Sequence, residues 1–102
     1  SLSYSKSGRV AEINYHVKKS LWGNGLATEA IQAVVGFGFS SFDSLLRIEA
    51  TVDQRNTASI RALHRVGFQH EGILRSHALV GGEVANEEIF SLIRADWNSH
   101  HG

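Results

Sequence analysis

A glycine-containing loop is the segment of this sequence with the clearest capacity for chemistry. Residues 20–30 read SLWGNGLATEA, with Gly23 and Gly25 lying between a strand-like and a helix-like segment. Such a loop can expose consecutive backbone N–H groups, and a helix N-terminus adds the equivalent of about half a positive charge. The pattern predicts a cradle for a phosphate or pyrophosphate group, although a plain strand-to-helix turn would use the same glycines. Neither the dinucleotide fingerprint nor the P-loop pattern is present.

Two polar side chains that precede this loop could accept a proton. Residues 10–17 alternate between apolar and polar positions, which places Glu12 and His16 on the polar face of a half-buried strand. Both residue types serve as general bases, the carboxylate here through a water molecule. Simple exposure to solvent on a half-exposed sheet is the alternative interpretation. The spacing of the other histidines is not typical of a metal site, so we expect no metal.

The elements that must position these residues follow from the apolar pattern. Alternation predicts strands at residues 1–5, 10–17, 46–52, 68–80 and about 85–95. Apolar stripes at three- and four-residue spacing predict helices at about 25–42 and between Asn56, a suitable N-cap, and Gly67. Gly81-Gly82 is a hairpin turn signal. The order β-hairpin, α, β, α, β-hairpin predicts an α/β fold with a mixed sheet and a right-handed parallel crossover.

The composition excludes several classes of site and partner. The chain has 102 residues, enough for a single domain, 1–102, with one core. It has no cysteine, which excludes disulfides and a cysteine nucleophile and suits a cytoplasmic protein. Ten basic residues balance ten acidic ones, and no apolar run approaches the roughly 20 residues of a membrane span. We therefore expect neither nucleic acid nor a membrane as a partner.

Four segments occur in a characteristic order and spacing: WGNGLATEA at 22–30, NTAS at 56–59 with Gly67-Phe68, residues 71–75 and residues 88–97. Through them the sequence resembles the GNAT acetyltransferases over nearly its whole length. WGNGLATEA is similar to the family's pyrophosphate loop, Q/R-x-x-G-x-G/A, with Ser20 in the first slot. Residues 56–59 (NTAS) together with Gly67-Phe68 resemble its N-x-x-S/A…G-F segment. Residues 71–75 and 88–97 resemble the closing strands of the Rim-type branch.

The resemblance implies a role for each matching position. Acetyl-coenzyme A would be the acetyl donor and a primary amine the acceptor, a protein N-terminus being one candidate. The coenzyme pyrophosphate would bind the backbone N–H groups of Trp22, Gly23, Asn24, Gly25, Leu26 and Ala27. Asn56 would reach the pantetheine or diphosphate, unless it is only a helix cap. Ser59 would lie near the thiol, unless it is an exposed helical serine.

The same resemblance leaves the acid and the base of the reaction open. Many family members place a tyrosine on the second helix as the acid for the thiol, and Leu63 occupies that slot here. Ser59 can still donate a hydrogen bond to the thiol, and Glu12 or His16 could act as the base. Ser59, Glu12 and His16 are therefore the predicted catalytic residues.

The length of the chain bears on what it can do alone. It begins without methionine, and the family's preceding strands and two helices, which build the acceptor pocket, have no counterpart here. We therefore expect the N-terminal part of the full domain to be absent. A non-catalytic acyl-coenzyme-A-binding or interaction module and a small-molecule amine acetyltransferase stay open as alternatives. A bare sheet edge would favour pairing of two copies, so we expect a homodimer or a larger assembly.

Overall fold

Five strands and three helices form the part of the chain that the computed structural model describes, which comprises residues 2–4, 8–13 and 26–101. In chain order they are β1 (Leu2–Tyr4), β2 (Val10–Ile13), α1 (Leu26–Ser41), β3 (Arg47–Asp53), α2 (Thr57–Val66), β4 (Gln69–Val80), β5 (Glu83–Ile93) and α3 (Arg94–His101). The predicted strand at 10–17 is confirmed as β2 up to Ile13. Its remainder, with His16, lies outside the described residues, as does most of the predicted pyrophosphate loop.

The five strands form one mixed sheet in the order β1-β2-β3-β5-β4. β2 pairs with β3 in parallel, and the other neighbouring pairs are antiparallel. The predicted mixed α/β sheet with a parallel crossover is therefore confirmed. β5, which forms a hairpin with β4, lies between β3 and β4. β4 therefore runs parallel to β3, with β5 separating the two strands.

One face of this sheet carries the helices and the core. Both crossovers, from β2 to β3 and from β3 to β4, move in the same direction across the sheet, so the right-handed rule places α1 and α2 on one side. The buried strand residues of that side include Ala11, Ile13, Ile48, Ala50, Val52, Phe90 and Leu92. We call the other side the open face; it carries Val10, Glu12, Arg47, Glu49, Thr51, Asp53, Glu87, Ile89, Ser91 and Ile93.

Glycines end two elements where the sequence predicts them to. Gly67 has a φ of 112°, and its N–H donates to the carbonyl oxygens of Leu63 and His64, which closes the last turn of α2. Gly81 and Gly82 have φ values of 59° and 83° in the turn between β4 and β5. These are left-handed conformations, which glycine adopts without steric cost.

The prediction for the end of the chain was wrong. The strand expected to continue to about residue 95 ends at Ile93, and the eight-residue helix α3 follows. The guanidinium of Arg94 donates to the carbonyl oxygens of Leu45 (2.8 Å), Phe39 (2.9 Å) and Phe42 (2.7 Å). These bonds turn the chain away from the sheet at the C-terminal end of α1. Trp97 then packs its ring 6.3 Å from that of Phe39.

The outer strands of the described sheet are β1 and β4. Pairing of two copies along such an edge stays a prediction.

None of the helices in the described ranges is long and apolar enough to cross a membrane.

Candidate functional site

The N-termini of α1 and α2 lie at the same end of the sheet. Three residues separate the end of β3 from the start of α2, so the first turn of α2 lies at the C-terminal end of that strand. Five residues separate the end of α1 from the start of β3, and α1 packs on the same face, so α1 runs antiparallel to β3 and starts near the same end. The positive ends of the two helix dipoles therefore converge. Leu26 and Ala27 begin α1, whereas Trp22, Gly23, Asn24 and Gly25 lie outside the described residues.

The first turn of α2 is built on a tight polar turn. The N–H of Asn56 donates to the carbonyl oxygen of Asp53 (2.9 Å), and the N–H of Arg55 donates to the Asp53 carboxylate (2.9 Å). The side-chain oxygen of Asn56 accepts a hydrogen bond from the N–H of Ser59 at 3.1 Å. Asn56 is thus an N-cap, as its sequence position predicts. Its predicted contact with the coenzyme stays a prediction.

Ser59 is buried, with 1% of its surface exposed. The alternative of an exposed helical serine was therefore wrong. Its hydroxyl has no hydrogen-bond partner among the residues that the structure describes. A buried polar group without a partner costs about 1–3 kcal/mol, which makes this hydroxyl a candidate for contact with a ligand. Leu63, one turn further along α2, is fully buried in the core, so it offers no polar group to a ligand.

Glu12 does not come together with Ser59. Glu12 is exposed on the open face, where its register partner on β3 is Glu49, whereas Ser59 lies on the helix side of the sheet. Of the predicted acid–base residues, the structure thus places Glu12 and Ser59 on opposite sides of the sheet. His16 falls outside the described residues.

An ion-pair network crosses three strands of the open face. Arg47 on β3 donates to Glu49 (2.9 Å) on its own strand and to Glu71 (2.8 Å) on β4, and the hydroxyl of Ser91 on β5 also donates to Glu71. Ser91 is small, so Glu71 and Arg47 can meet across the strand that separates them. The hydrogen bond from Arg47, with that from Ser91, lowers the pKa of Glu71 to about 2. The sequence does not predict this network, because it joins residues far apart in the chain.

We predict an acid-sensitive contribution of Glu71 to stability. Its folded pKa of about 2 lies below the ordinary value of 4.5, so the contribution is complete above about pH 4.5 and is lost as the pH falls through about 2. Replacement with glutamine, which cannot ionise, should remove this part of the pH dependence. Unfolding titrations from pH 5 to pH 2 would measure it. Identical pH profiles for wild type and Glu71→Gln would contradict the assignment.

Two histidine–carboxylate pairs lie on the β4–β5 hairpin, one on each face. Nδ1 of His77 lies 2.5 Å from Glu87 on the open face, and Nε2 of His70 lies 3.1 Å from Glu88 on the helix side. The sequence does not reveal either pair, since neither has a recognisable spacing. Within the described ranges, no group of three or more histidine, aspartate or glutamate residues could hold a metal ion.

Comparison with known proteins gives the family of this chain. The family model described as an acetyltransferase (GNAT) domain matches residues 1–69. The chain belongs to the GNAT acetyltransferase family.

Among curated relatives, the uncharacterised N-acetyltransferase p20 of Bacillus licheniformis is 40% identical over 92 residues, covering 90% of this chain and 51% of the relative. The spermidine N(1)-acetyltransferase of Escherichia coli K12 is 26% identical over 93 residues, covering 91% and 50% respectively. The chain thus spans about half the length of the curated relatives it matches.

Solved structures confirm the fold and the likeness to the Rim-type branch. RimJ of Mycobacterium smegmatis, in complex with CoA-disulfide, has a TM-score of 0.77 and 33% identity, covering 92% of this chain and 44% of RimJ. The ribosomal-protein-S5-alanine acetyltransferase of Vibrio fischeri has a TM-score of 0.78 and 26% identity, covering 94% of this chain and 54% of that enzyme.

Proposed function

We propose that this chain binds acetyl-coenzyme A and takes part in transferring its acetyl group to a primary amine. The observation that carries the proposal is the buried hydroxyl of Ser59 in the first turn of α2, which has no hydrogen-bond partner in residues 2–4, 8–13 and 26–101. It lies at the end of the sheet where the N-termini of α1 and α2 converge, which favours an anionic group. Acetyl-coenzyme A combines a thioester, which the Ser59 hydroxyl would contact, with a pyrophosphate, which the helix N-termini favour.

The residues of the chain fit the two ends of the coenzyme differently. Backbone N–H groups of residues 22–27 would bind the pyrophosphate, of which Leu26 and Ala27 belong to the first turn of α1. The Ser59 hydroxyl would donate a hydrogen bond to the sulfur, so that the thiolate is stabilised as it leaves. An acidic phenol has no counterpart at Leu63, which is buried and apolar. Ser59 therefore acts by hydrogen bonding and not as a strong acid.

The acceptor is a primary amine in its neutral form, because a protonated amine has no lone pair with which to attack the thioester carbonyl. The E. coli relative is named for spermidine and the V. fischeri structure for an alanine of a ribosomal protein. A polyamine and a peptide with a free alanine N-terminus are therefore the two amines to compare. Release of coenzyme A with either one would support catalysis. Binding of acetyl-coenzyme A without any release would favour the non-catalytic alternative.

Two buried serines of the described part of the chain provide a matched test of the site. The hydroxyl of Ser59 has no partner there, whereas the hydroxyl of Ser91 donates to Glu71. We expect Ser59→Ala to leave the melting temperature unchanged or raised, because no bond is lost, and to weaken acetyl-coenzyme A binding about tenfold, as for one hydrogen bond. Ser91→Ala should lower the stability by about 1 kcal/mol and leave binding unchanged.

Calorimetric titration of both variants measures the expected loss of binding in Ser59→Ala, and thermal melting measures the expected loss of stability in Ser91→Ala. If Ser59→Ala lost stability and bound the coenzyme normally, the hydroxyl would have an internal partner and the proposed contact would be wrong. Where turnover is measurable, a larger loss in kcat than in coenzyme affinity would assign Ser59 to the departure of the thiolate.

A further inference from the structure

A bulge in the β4–β5 hairpin brings a histidine over a carboxylate. Between the register pairs Leu74–Glu87 and Ala78–Ala85, β4 has three residues, 75–77, whereas β5 has Asn86 alone. Ser76 in this bulge has a φ of 52°, which is rare for residues other than glycine. Its N–H donates to the side-chain oxygen of Asn86 at 2.8 Å, which holds the bulge in place. His77 is thereby placed with Nδ1 2.5 Å from the Glu87 carboxylate.

This pair has the chemistry of an oriented base. An ionised carboxylate only accepts hydrogen bonds, so Nδ1 of His77 carries the hydrogen and Nε2 of the neutral ring is the acceptor. The His77 side chain is 53% exposed and that of Glu87 only 18%, so the ring faces solvent while the carboxylate that orients it is shielded.

The pair lies at the end of the sheet where the proposed coenzyme site is found. Glu87 is the register partner of Asp53, the last residue of β3, and α2 begins after the short turn that follows. The N–H of Gln54 in that turn donates to the carbonyl oxygen of Asn86 (3.2 Å), so the turn and the bulge are directly bonded. α1 and α2 pack on the helix side of the sheet, where the coenzyme would contact Ser59. The open face would give the acceptor amine a separate approach to this end, and His77 lies on that face.

The geometry points to His77, oriented by Glu87, as the group that accepts a proton from the acceptor amine, an inference that rests on the proposed acetyl transfer. Nε2 of His77 takes one proton from the ammonium group, and the Nδ1–H bond to Glu87 is kept. The freed nitrogen lone pair bonds to the acetyl carbon and the carbon–sulfur bond breaks. The thiolate takes up a proton, and the imidazolium and the new amide return theirs to solvent, so that an amide and free coenzyme A result.

The other charged groups near the pair are already engaged or belong to the same hairpin. The carboxylate of Asp53 is bonded to the Arg55 guanidinium at 2.8 Å, which lowers the pKa of Asp53 and keeps it ionised. Arg75 belongs to the bulge and Glu83 to the start of β5. Asp53 and Arg55 neutralise each other, so Glu87 is the carboxylate of this end that orients His77.

The hairpin contains its own control for this proposal. His70 and Glu88 form a second histidine–carboxylate pair on the same two strands, but on the helix side. A substitution that acts only by breaking a histidine–carboxylate contact in the hairpin should have the same effect in both pairs. A change that removes a base on the open face should affect His77 alone.

The first measurement is independent of turnover. Histidine side-chain nitrogen NMR, with coenzyme A present and no acetyl group, would follow a titration with spermidine and, separately, with a hexapeptide that begins with alanine. We expect the neutral His77 ring to be in the Nδ1–H form. Its Nε2 resonance should shift on addition of at least one of the two amines, and that of His70 should stay in place. A His77 resonance unmoved by both amines would overturn the proposal, whether or not the chain catalyses acetyl transfer.

The second measurement is the rate of coenzyme A release at saturating concentrations of both substrates. We expect His77→Gln to lower kcat on the order of 100-fold and Glu87→Gln about tenfold, with His70→Gln within twofold of wild type. If a thermal melt shows that His77→Gln folds poorly, the rate of coenzyme A release by Glu87→Gln still tests the proposal. Equal rates for His77→Gln and His70→Gln would overturn the role of His77 and leave the proposed acetyl transfer intact. If wild type released no coenzyme A but its His77 resonance shifted, the proposed acetyl transfer would be wrong, and so would the proton transfer that depends on it. The contact between His77 and the amine would stand.

Discussion

Replacing Arg94 with alanine is expected to lower the free energy of unfolding by about 3 kcal/mol, the largest loss of stability that we predict for a single side chain. Its guanidinium donates to three carbonyl oxygens around the C-terminal end of α1, those of Phe39, Phe42 and Leu45, and lies 5.0 Å from the centre of the Phe39 ring. Hydrogen bonds from a charged donor are stronger than neutral ones, and here one side chain supplies all three. Alanine would leave those carbonyl oxygens without this donor.

Two further variants separate this effect from a general loss of charge. Arg94→Lys keeps the charge but supplies donors from a single nitrogen, so it should recover only part of the stability. Arg65→Ala removes an exposed arginine at the end of α2 and should change the stability by less than about 0.5 kcal/mol. Chemical denaturation of the three variants measures the differences. An Arg94→Ala protein as stable as Arg65→Ala would show that α3 is not anchored by this guanidinium.

Replacing Gly25 with valine is expected to abolish acetyl-coenzyme A binding and leave the fold largely intact. The sequence pattern places Gly25 immediately before α1, where backbone N–H groups would contact the pyrophosphate. A branched side chain there would block the close approach of phosphate oxygens to the backbone. The measurement is a calorimetric titration of the variant with acetyl-coenzyme A, with a thermal melt to monitor folding.

Gly72 offers the matched control for this substitution. It lies on β4, and a Cβ atom added there would have no other atom within 4 Å. Gly72→Val therefore changes the same residue type in the same way, but in open space, and should bind the coenzyme like wild type. Unchanged affinity of Gly25→Val would show that the coenzyme does not bind at this loop.

Much of the fold can be predicted because local chemistry determines it. The alternation around Glu12 and the apolar stripe of α1 follow from which face of each element is buried. Gly67 ends α2 and Gly81 begins the hairpin turn because both positions require a positive φ, which glycine adopts most readily. These features depend on residues close together in the chain, so one sequence contains enough information to find them.

The parts that could not be predicted depend on contacts between distant residues. α3 begins at Arg94 because that side chain reaches carbonyl oxygens more than 45 positions earlier, and no local signal replaces this contact. The insertion of β5 between β3 and β4 creates the Arg47–Glu71 pair, which no spacing reveals. The bulge at Ser76 lacks the glycine or asparagine that would have indicated it.

The candidate site also combines a feature that the sequence predicts with features that depend on tertiary packing. Asn56 could be predicted as a helix cap from its position before an apolar stripe, and the structure confirms this. The burial of Ser59 depends on how α2 packs against the sheet, and the absence of a hydroxyl partner among the described residues appears only in the structure. The His77–Glu87 pair depends on a bulge and a register, so the sequence shows only two unremarkable residues.

Acetyl-coenzyme A would bind at the shared N-terminal end of α1 and α2, with the Ser59 hydroxyl in contact with the ligand. Isothermal titration of the wild-type chain and of Ser59→Ala with acetyl-coenzyme A measures this contact. We expect saturable binding of one coenzyme per chain to wild type and about tenfold weaker binding to a Ser59→Ala protein that is at least as stable. No binding to the folded wild-type chain, or equal affinity in the two proteins, would contradict it.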